Sequence, residues 1–88
     1  MPTESLLKFP CRFNIKIMGV NHIDLIPEVA AIVAAHADGF DPEADIVTKL
    51  STKKNYLAIT ASIEALSQEQ LDTIYRELNQ HELVKVTL

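Results

Sequence analysis

The chain of 88 residues has little cysteine, little glycine and few aromatic side chains. Its single cysteine, Cys11, cannot form an internal disulfide or a paired-cysteine metal site, which fits a reducing compartment. Its two glycines, Gly19 and Gly39, lie too far apart for a glycine-rich phosphate-binding loop. No apolar run approaches the roughly 20 residues that a membrane-spanning helix needs. We therefore expect a cytoplasmic protein without membrane contact, and the residues indicate no cofactor.

Positive charge is also scarce in this chain. The net charge of −4 disfavours nucleic acid as the main partner. An RNA-recognition sheet would carry a basic residue, a glycine and several aromatics on its third strand. The corresponding stretch here, KNYLAITA, has neither the glycine nor the later aromatics. We therefore predict no nucleic-acid partner.

The apolar pattern predicts four strands and two helices in a single domain. Alternating residues indicate strands over residues 11–18, 46–50, 57–63 and 83–88. Helical spacing begins after Asp24 and again after Ser67, and both residues are good N-caps. Residues 1–10 are predicted to be a short leader that ends at Pro10, and residues 11–88 to be the domain.

The order of these elements is β-α-β-β-α-β, the split pattern of ferredoxin-like domains. The predicted fold is therefore an α+β, ferredoxin-like βαββαβ sandwich. Right-handed crossovers give a four-stranded antiparallel sheet in the order 4-1-3-2 with both helices on one face.

The predicted topology brings polar turns together at one end of the sheet. The turn after the first strand supplies Gly19, Asn21 and His22, and the hairpin between the second and third strands supplies Lys53, Lys54 and Asn55. Junctions of this kind favour small ligand sites, so these residues are the candidate ligand-binding set. A plainer alternative is that Gly19 ends the strand because a side chain would clash there or because φ must be positive. His81 is expected near His22, but the spacing demands no metal site.

The uncovered face of the sheet is a second candidate surface. By strand parity it displays a small polar group of residues, which we take as the candidate interface: Asn14, Lys16, Tyr56, Ala58, Thr60 and Ser62. On the last strand, alternation predicts that Val84, Val86 and Leu88 point to the core while Lys85 and Thr87 point outwards. Such a face can pair with a second copy or remain solvated.

Several stretches, taken together, resemble one known family. They are LLKFPCRFNIKIMG near the start, KKNYLAITASI in the third strand, and EQLDTIYREL leading to LVKVTL at the end. In this order they are similar to the YbeD-like family of small bacterial proteins of unassigned function. The resemblance implies a ferredoxin-like fold akin to ACT regulatory domains, which bind amino-acid effectors beside a glycine after the first strand. Gly19 stands in that place, but Ile17 and Met18 precede it where ACT effector sites usually carry an acidic residue.

These observations favour a non-enzymatic, ACT-like regulatory or interaction module that binds a partner protein or a small effector, and it is a possible homo-oligomer. The alternative is a small enzyme that acts on an acyl or phosphoryl group through His22, Lys53 or Lys54 at the end where the first strand meets the first helix. The residues show no paired nucleophile and base, so we expect no catalytic site.

Overall fold

The computed structural model describes residues 8–88 and contains the six predicted elements in the predicted order. They are β1 (Cys11–Val20), α1 (Leu25–His36), β2 (Ile46–Leu50), β3 (Tyr56–Ala65), α2 (Gln68–Gln80) and β4 (Val84–Thr87). The sheet is antiparallel in the order β2-β3-β1-β4, which is the predicted 4-1-3-2 read from the other edge. The ferredoxin-like prediction is confirmed. Most of the predicted leader, residues 1–7, lies outside the described residues.

The core lies between the central strands and the two helices. β1 and β3 pair along their whole length, from Cys11 opposite Ala65 to Val20 opposite Tyr56. Every second residue of these strands turns towards the helices, because strand side chains alternate between the two faces. The fully buried side chains of this core are Ile15, Ile59, Ile63, Leu25, Val29, Val33, Leu71, Ile74 and Leu78.

The two helices begin at the predicted residues but are capped differently. The Ser67 hydroxyl accepts a hydrogen bond from the backbone N–H of Gln70 at 3.1 Å, so the predicted cap of α2 is confirmed. Asp24 precedes α1, but its side chain makes no capping bond and its backbone is already helical. Instead, the backbone N–H of Asp24 donates to Nδ1 of His22 at 3.0 Å. His22 therefore shapes the entry to α1.

Gly19 does not end β1, because the strand continues through it to Val20. A Cβ atom on Gly19 would lie 2.6 Å from the carbonyl oxygen of Leu83 and 2.7 Å from Cδ1 of Leu25. Glycine is thus required by the close approach of α1 and of the turn before β4. The predicted clash is confirmed and the predicted strand end is wrong.

A β-bulge shifts the register of β4 against β1. Gly19 lies opposite Val84 but Met18 lies opposite Val86, so one extra residue, Lys85, enters β4. A shift of one residue turns every following side chain to the other face. Val84 is accordingly 8% exposed whereas Val86 is 47% exposed. The prediction that Val86 and Leu88 point into the core, with Thr87 outside, is therefore wrong.

Candidate functional site

Hydrogen bonds join half of the predicted ligand-binding set at one end of the sheet. The backbone N–H of Asn21 donates to the carbonyl oxygen of Asn55 at 3.0 Å. The Asn21 side-chain amide donates to the carbonyl oxygen of Lys54 at 2.9 Å. Lys54 has φ of 63°, a left-handed conformation that costs energy for a residue with a side chain. Asn21 therefore holds the hairpin in a strained shape.

The other three predicted residues occupy different surroundings. Gly19 is buried, and the side chain of Leu25 fills the space above it. His22 is exposed, but Nδ1 of its ring already accepts the hydrogen bond from Asp24. Lys53 is exposed in the hairpin. The polar groups nearest this junction are thus largely engaged in shaping the loops, and ligand binding here remains a prediction.

Each histidine lies next to a carboxylate. Nε2 of His81 is 3.3 Å from Oε1 of Glu28, which links the end of α2 to the first turn of α1. Nε2 of His36 is 3.0 Å from Oε2 of Glu77 and makes a second link between the helices. Within residues 8–88, no group of three or more metal-binding side chains is placed to hold an ion. The imidazoles of His36 and His81 contribute to the contact between the helices.

The helical side of the molecule carries a broad polar depression of about 560 Å³, lined in part by His36, Gln70, Thr73 and Arg76. Both polar atoms of the Gln70 side chain are engaged there, because its amide donates to the carbonyl oxygen of His36 and its oxygen accepts from the Leu66 N–H. Among residues 8–88, no buried side-chain polar atom lacks a hydrogen-bond partner. This depression therefore presents no unpaired buried group towards a ligand.

The solvent-facing side of the sheet, here named the open face, carries all six residues of the predicted interface. Its side chains form rows across the strands. One row runs from β2 to β4 as Lys49, Ala58, Met18 and Val86. The next row runs as Val47, Thr60, Lys16 and Leu88, where the Leu88 N–H donates to the carbonyl oxygen of Lys16 at 2.8 Å. A third row holds Asn14 and Ser62, joined by a 2.8 Å hydrogen bond.

Besides Tyr56, four large apolar side chains of the open face are exposed, and we name them the apolar patch: Met18, Val47, Val86 and Leu88. Their exposed fractions are 42%, 67%, 47% and 77% respectively. A depression of about 120 Å³ is lined by Met18 and Leu88 of the patch together with Lys16, Ala58 and Thr60. None of these four belonged to the predicted interface set. Strand parity in β1 and β2 already places Met18 and Val47 outside, whereas Val86 and Leu88 reach the open face only through the bulge.

The open face and the helices carry opposite charge. Three of the four charged side chains on the open-face positions of the strands are cations, namely Arg12, Lys16 and Lys49 against Glu64. On the helices, leaving histidine aside, four of five are anions, namely Glu28, Glu69, Asp72 and Glu77 against Arg76. The acidic net charge of the chain therefore conceals a basic surface around the apolar patch.

Tyr75 anchors the end of β4 beside the patch. Its hydroxyl donates to the carbonyl oxygen of Leu88 at 2.9 Å. Burial raises the pKa of Tyr75 above its ordinary value, because the phenolate is poorly solvated there. Tyr75 is thus a neutral donor that fixes Leu88 on the open face.

Comparison with known proteins relates the whole chain to small bacterial proteins. The model of a family described as "Protein of unknown function (DUF493)" matches residues 4–88. A UPF0250 protein of Janthinobacterium sp. (strain Marseille) is 41% identical over 87 residues, which cover 99% of this chain and 94% of the relative. A UPF0250 protein of Paraburkholderia phytofirmans is 46% identical over 88 residues, covering 97% and 94%.

One solved structure shares the fold. The solution structure of protein HP0495 from H. pylori superposes with a TM-score of 0.72 over 100% of this chain and 94% of that protein. The sequences are 18% identical, so this likeness supports the fold alone. None of the helices in residues 8–88 is long and apolar enough to cross a membrane.

Proposed function

Because the chain belongs to the DUF493 family, whose function is unknown, we propose that it is a non-enzymatic, ACT-like interaction module that docks a partner protein on its open face. The observation that carries this proposal is the apolar patch. Its four side chains lie on one uncovered face, in two neighbouring rows, rather than scattered over the surface. Exposed apolar side chains grouped on one face in this way typically mark an interaction site.

The packing of the open face supports the same proposal. The opposite face of the sheet is covered by both helices, and a complete core of buried aliphatic side chains lies there. The apolar patch adds nothing to that core. Burying it against a partner would remove its area from water, and each square ångström of apolar surface buried contributes about 25 cal/mol. A partner protein therefore gains more from this surface than a small effector does.

We rank the enzymatic alternative lower. It needs a nucleophile or a base among His22, Lys53 and Lys54, but one ring nitrogen of His22 is engaged with the backbone of Asp24. Effector binding at the same loops stays a prediction that the binding-module proposal does not require. A cytoplasmic location belongs to the proposal, supported by the single cysteine in the sequence.

Two matched substitutions test the proposal. Met18→Asp places a charge in the apolar patch, and Ile26→Asp places one on α1 at a side chain of similar exposure, 37% against 42%. The immobilised protein and both variants are exposed to cytosol of the bacterium that carries the protein, and captured proteins are quantified by mass spectrometry. We expect the same proteins on the unsubstituted chain and on Ile26→Asp, and a loss of about tenfold or more on Met18→Asp.

The proposal fails if Met18→Asp captures the same proteins in the same amounts. Val86→Asp, on β4 rather than β1, repeats the test at the other edge of the patch. Circular dichroism melts of all three variants identify any loss that comes from unfolding. Light scattering on the unsubstituted chain and on Met18→Asp reports whether a second copy binds through the open face instead.

A further inference from the structure

We infer that the partner surface which covers the open face is an acidic, amphipathic helix; this inference rests on the proposed function. Two cations of the open face lie within the apolar patch. Lys49 stands in the same row as Met18 and Val86, and Lys16 stands between Thr60 and Leu88 in the next row. The ammonium groups thus belong to the same rows as the apolar patch.

These two lysines differ from the third cation of the open face. The guanidinium of Arg12 is 3.8 Å from Oδ1 of Asp45, and Arg12 also lies opposite Glu64 in the register. Both acidic residues near this face are therefore next to Arg12. In the part of the chain that the structure describes, neither Lys16 nor Lys49 forms an ion pair. A partner surface with negative charge would therefore complement Lys16 and Lys49.

The width of the apolar patch favours a helix. From Val47 on β2 to Val86 on β4 the patch crosses three strand spacings, which amounts to about 14 Å. A helix with its side chains is about 10–12 Å in diameter and fits this width. A single extended segment covers roughly one strand spacing and would leave most of the apolar patch in water.

A second copy of the chain meets this description poorly. Face-to-face pairing of two open faces sets Lys16 and Lys49 against a surface of the same charge. The acidic helix of the chain itself, α2, has its apolar side chains Leu71, Ile74 and Leu78 completely buried in its own core. It cannot offer an apolar stripe to another molecule without unfolding.

The test uses designed peptides of about 18 residues, five helical turns. One carries leucine on one face and glutamate elsewhere, and its matched control carries lysine in place of every glutamate. Each is titrated into the full-length, 15N-labelled chain while amide shifts are followed by NMR. We expect shifts in all four strands, with about tenfold tighter binding of the glutamate peptide and weakening at about 0.5 M salt.

Charge reversal sharpens the result. The double variant Lys16→Glu, Lys49→Glu should prefer the lysine peptide, whereas Arg76→Glu, which reverses the one arginine of the helices, should keep the original preference. Equal affinity for both peptides, or no shift with either, overturns the inference. If Met18→Asp still abolishes partner capture in that case, the proposed function stands although the inference of an acidic helix fails. A single-stranded RNA that binds tighter than the glutamate peptide would overturn the inference in favour of nucleic acid.

Discussion

The two faces of the sheet are made by the same strands but have different composition. The face under the helices presents aliphatic side chains that are completely buried, such as Ile15 and Ile59. The open face mixes small polar residues with the apolar patch and two lysines that lack an ion pair among residues 8–88. The covered face accounts for the stability of the fold. The exposed apolar side chains of the open face do not contribute to the core. This difference between the two faces points to binding.

Gly19→Ala should have the largest effect, because Gly19 belongs to the covered face where space is tightest. A methyl group there would lie 2.6 Å from the Leu83 carbonyl oxygen, a backbone atom that cannot simply rotate away. We expect the free energy of unfolding to fall by about 3 kcal/mol, at the upper end for overpacking. Urea unfolding followed by circular dichroism measures this change.

Gly39→Ala is the control for Gly19→Ala. Gly39 has φ of +78°, but a Cβ atom added to it would meet nothing within 4 Å beyond its chain neighbours, so only backbone strain opposes alanine. We expect a loss of about 1 kcal/mol. Equal losses at the two glycines would mean that the close approach at Gly19 is not the reason for its residue type.

The paired substitutions Val84→Ala and Val86→Ala test the bulge that separates the two faces. Val84 is buried opposite Gly19, and we expect its truncation to cost about 2 kcal/mol of unfolding free energy. Val86 is half exposed beside Met18, and its truncation should cost less than about 0.5 kcal/mol. Similar costs at both positions in thermal or urea unfolding would place Val86 in the core and remove it from the apolar patch.

Tyr75→Phe should have a smaller effect on stability than Val84→Ala. It removes the hydrogen bond to the carbonyl oxygen of Leu88, and such bonds contribute about 1 kcal/mol. The loss should be accompanied by faster amide exchange in β4, because Leu88 is then held less firmly. Hydrogen exchange by NMR that leaves β4 unchanged would show that Tyr75 does not anchor the patch.

The same tyrosine predicts a response to alkaline pH. Since burial raises the pKa of Tyr75 above its ordinary value of 10.0, the folded state favours the neutral phenol. The contribution of the neutral Tyr75 side chain to the free energy of unfolding is therefore complete below pH 10. It is lost as the pH rises through the raised pKa. We expect the melting temperature to fall with pH above 10 more steeply in the unsubstituted chain than in Tyr75→Phe. Parallel pH curves for the two proteins would contradict this.

Structural features that depend on local sequence pattern were predicted correctly from the sequence alone. The alternation in β1 and β3 identified the covered and open faces, and the Ser67 cap identified the start of α2. The bulge in β4 escaped prediction because it arises from the register between two strands far apart in the chain. The crowding at Gly19 likewise comes from Leu25 and Leu83, so the residue type suggested a clash but not its source.

The candidate site was predictable to a similar degree. The six residues of the predicted interface do share the open face, because their placement needs only strand parity. Two of the four residues of the apolar patch, Val86 and Leu88, were assigned to the core because one inserted residue reverses parity. At the loop end, the polar residue types suggested a ligand site. Residue types do not reveal that the Asn21 side chain is hydrogen-bonded to the hairpin.

The most direct test of the central claim asks which face is covered when the protein meets its partner. In a Cys11→Ser background, a single thiol is placed on the open face by Val47→Cys or on α2 by Glu69→Cys, both at exposed positions. Alkylation rates are compared in buffer and in cytosol of the bacterium that carries the protein, after correction for the reagent that the cytosol consumes. We predict that the thiol at position 47 is slowed about tenfold in cytosol while the thiol at position 69 is unaffected. Protection at position 69 alone, or at neither position, would contradict the account.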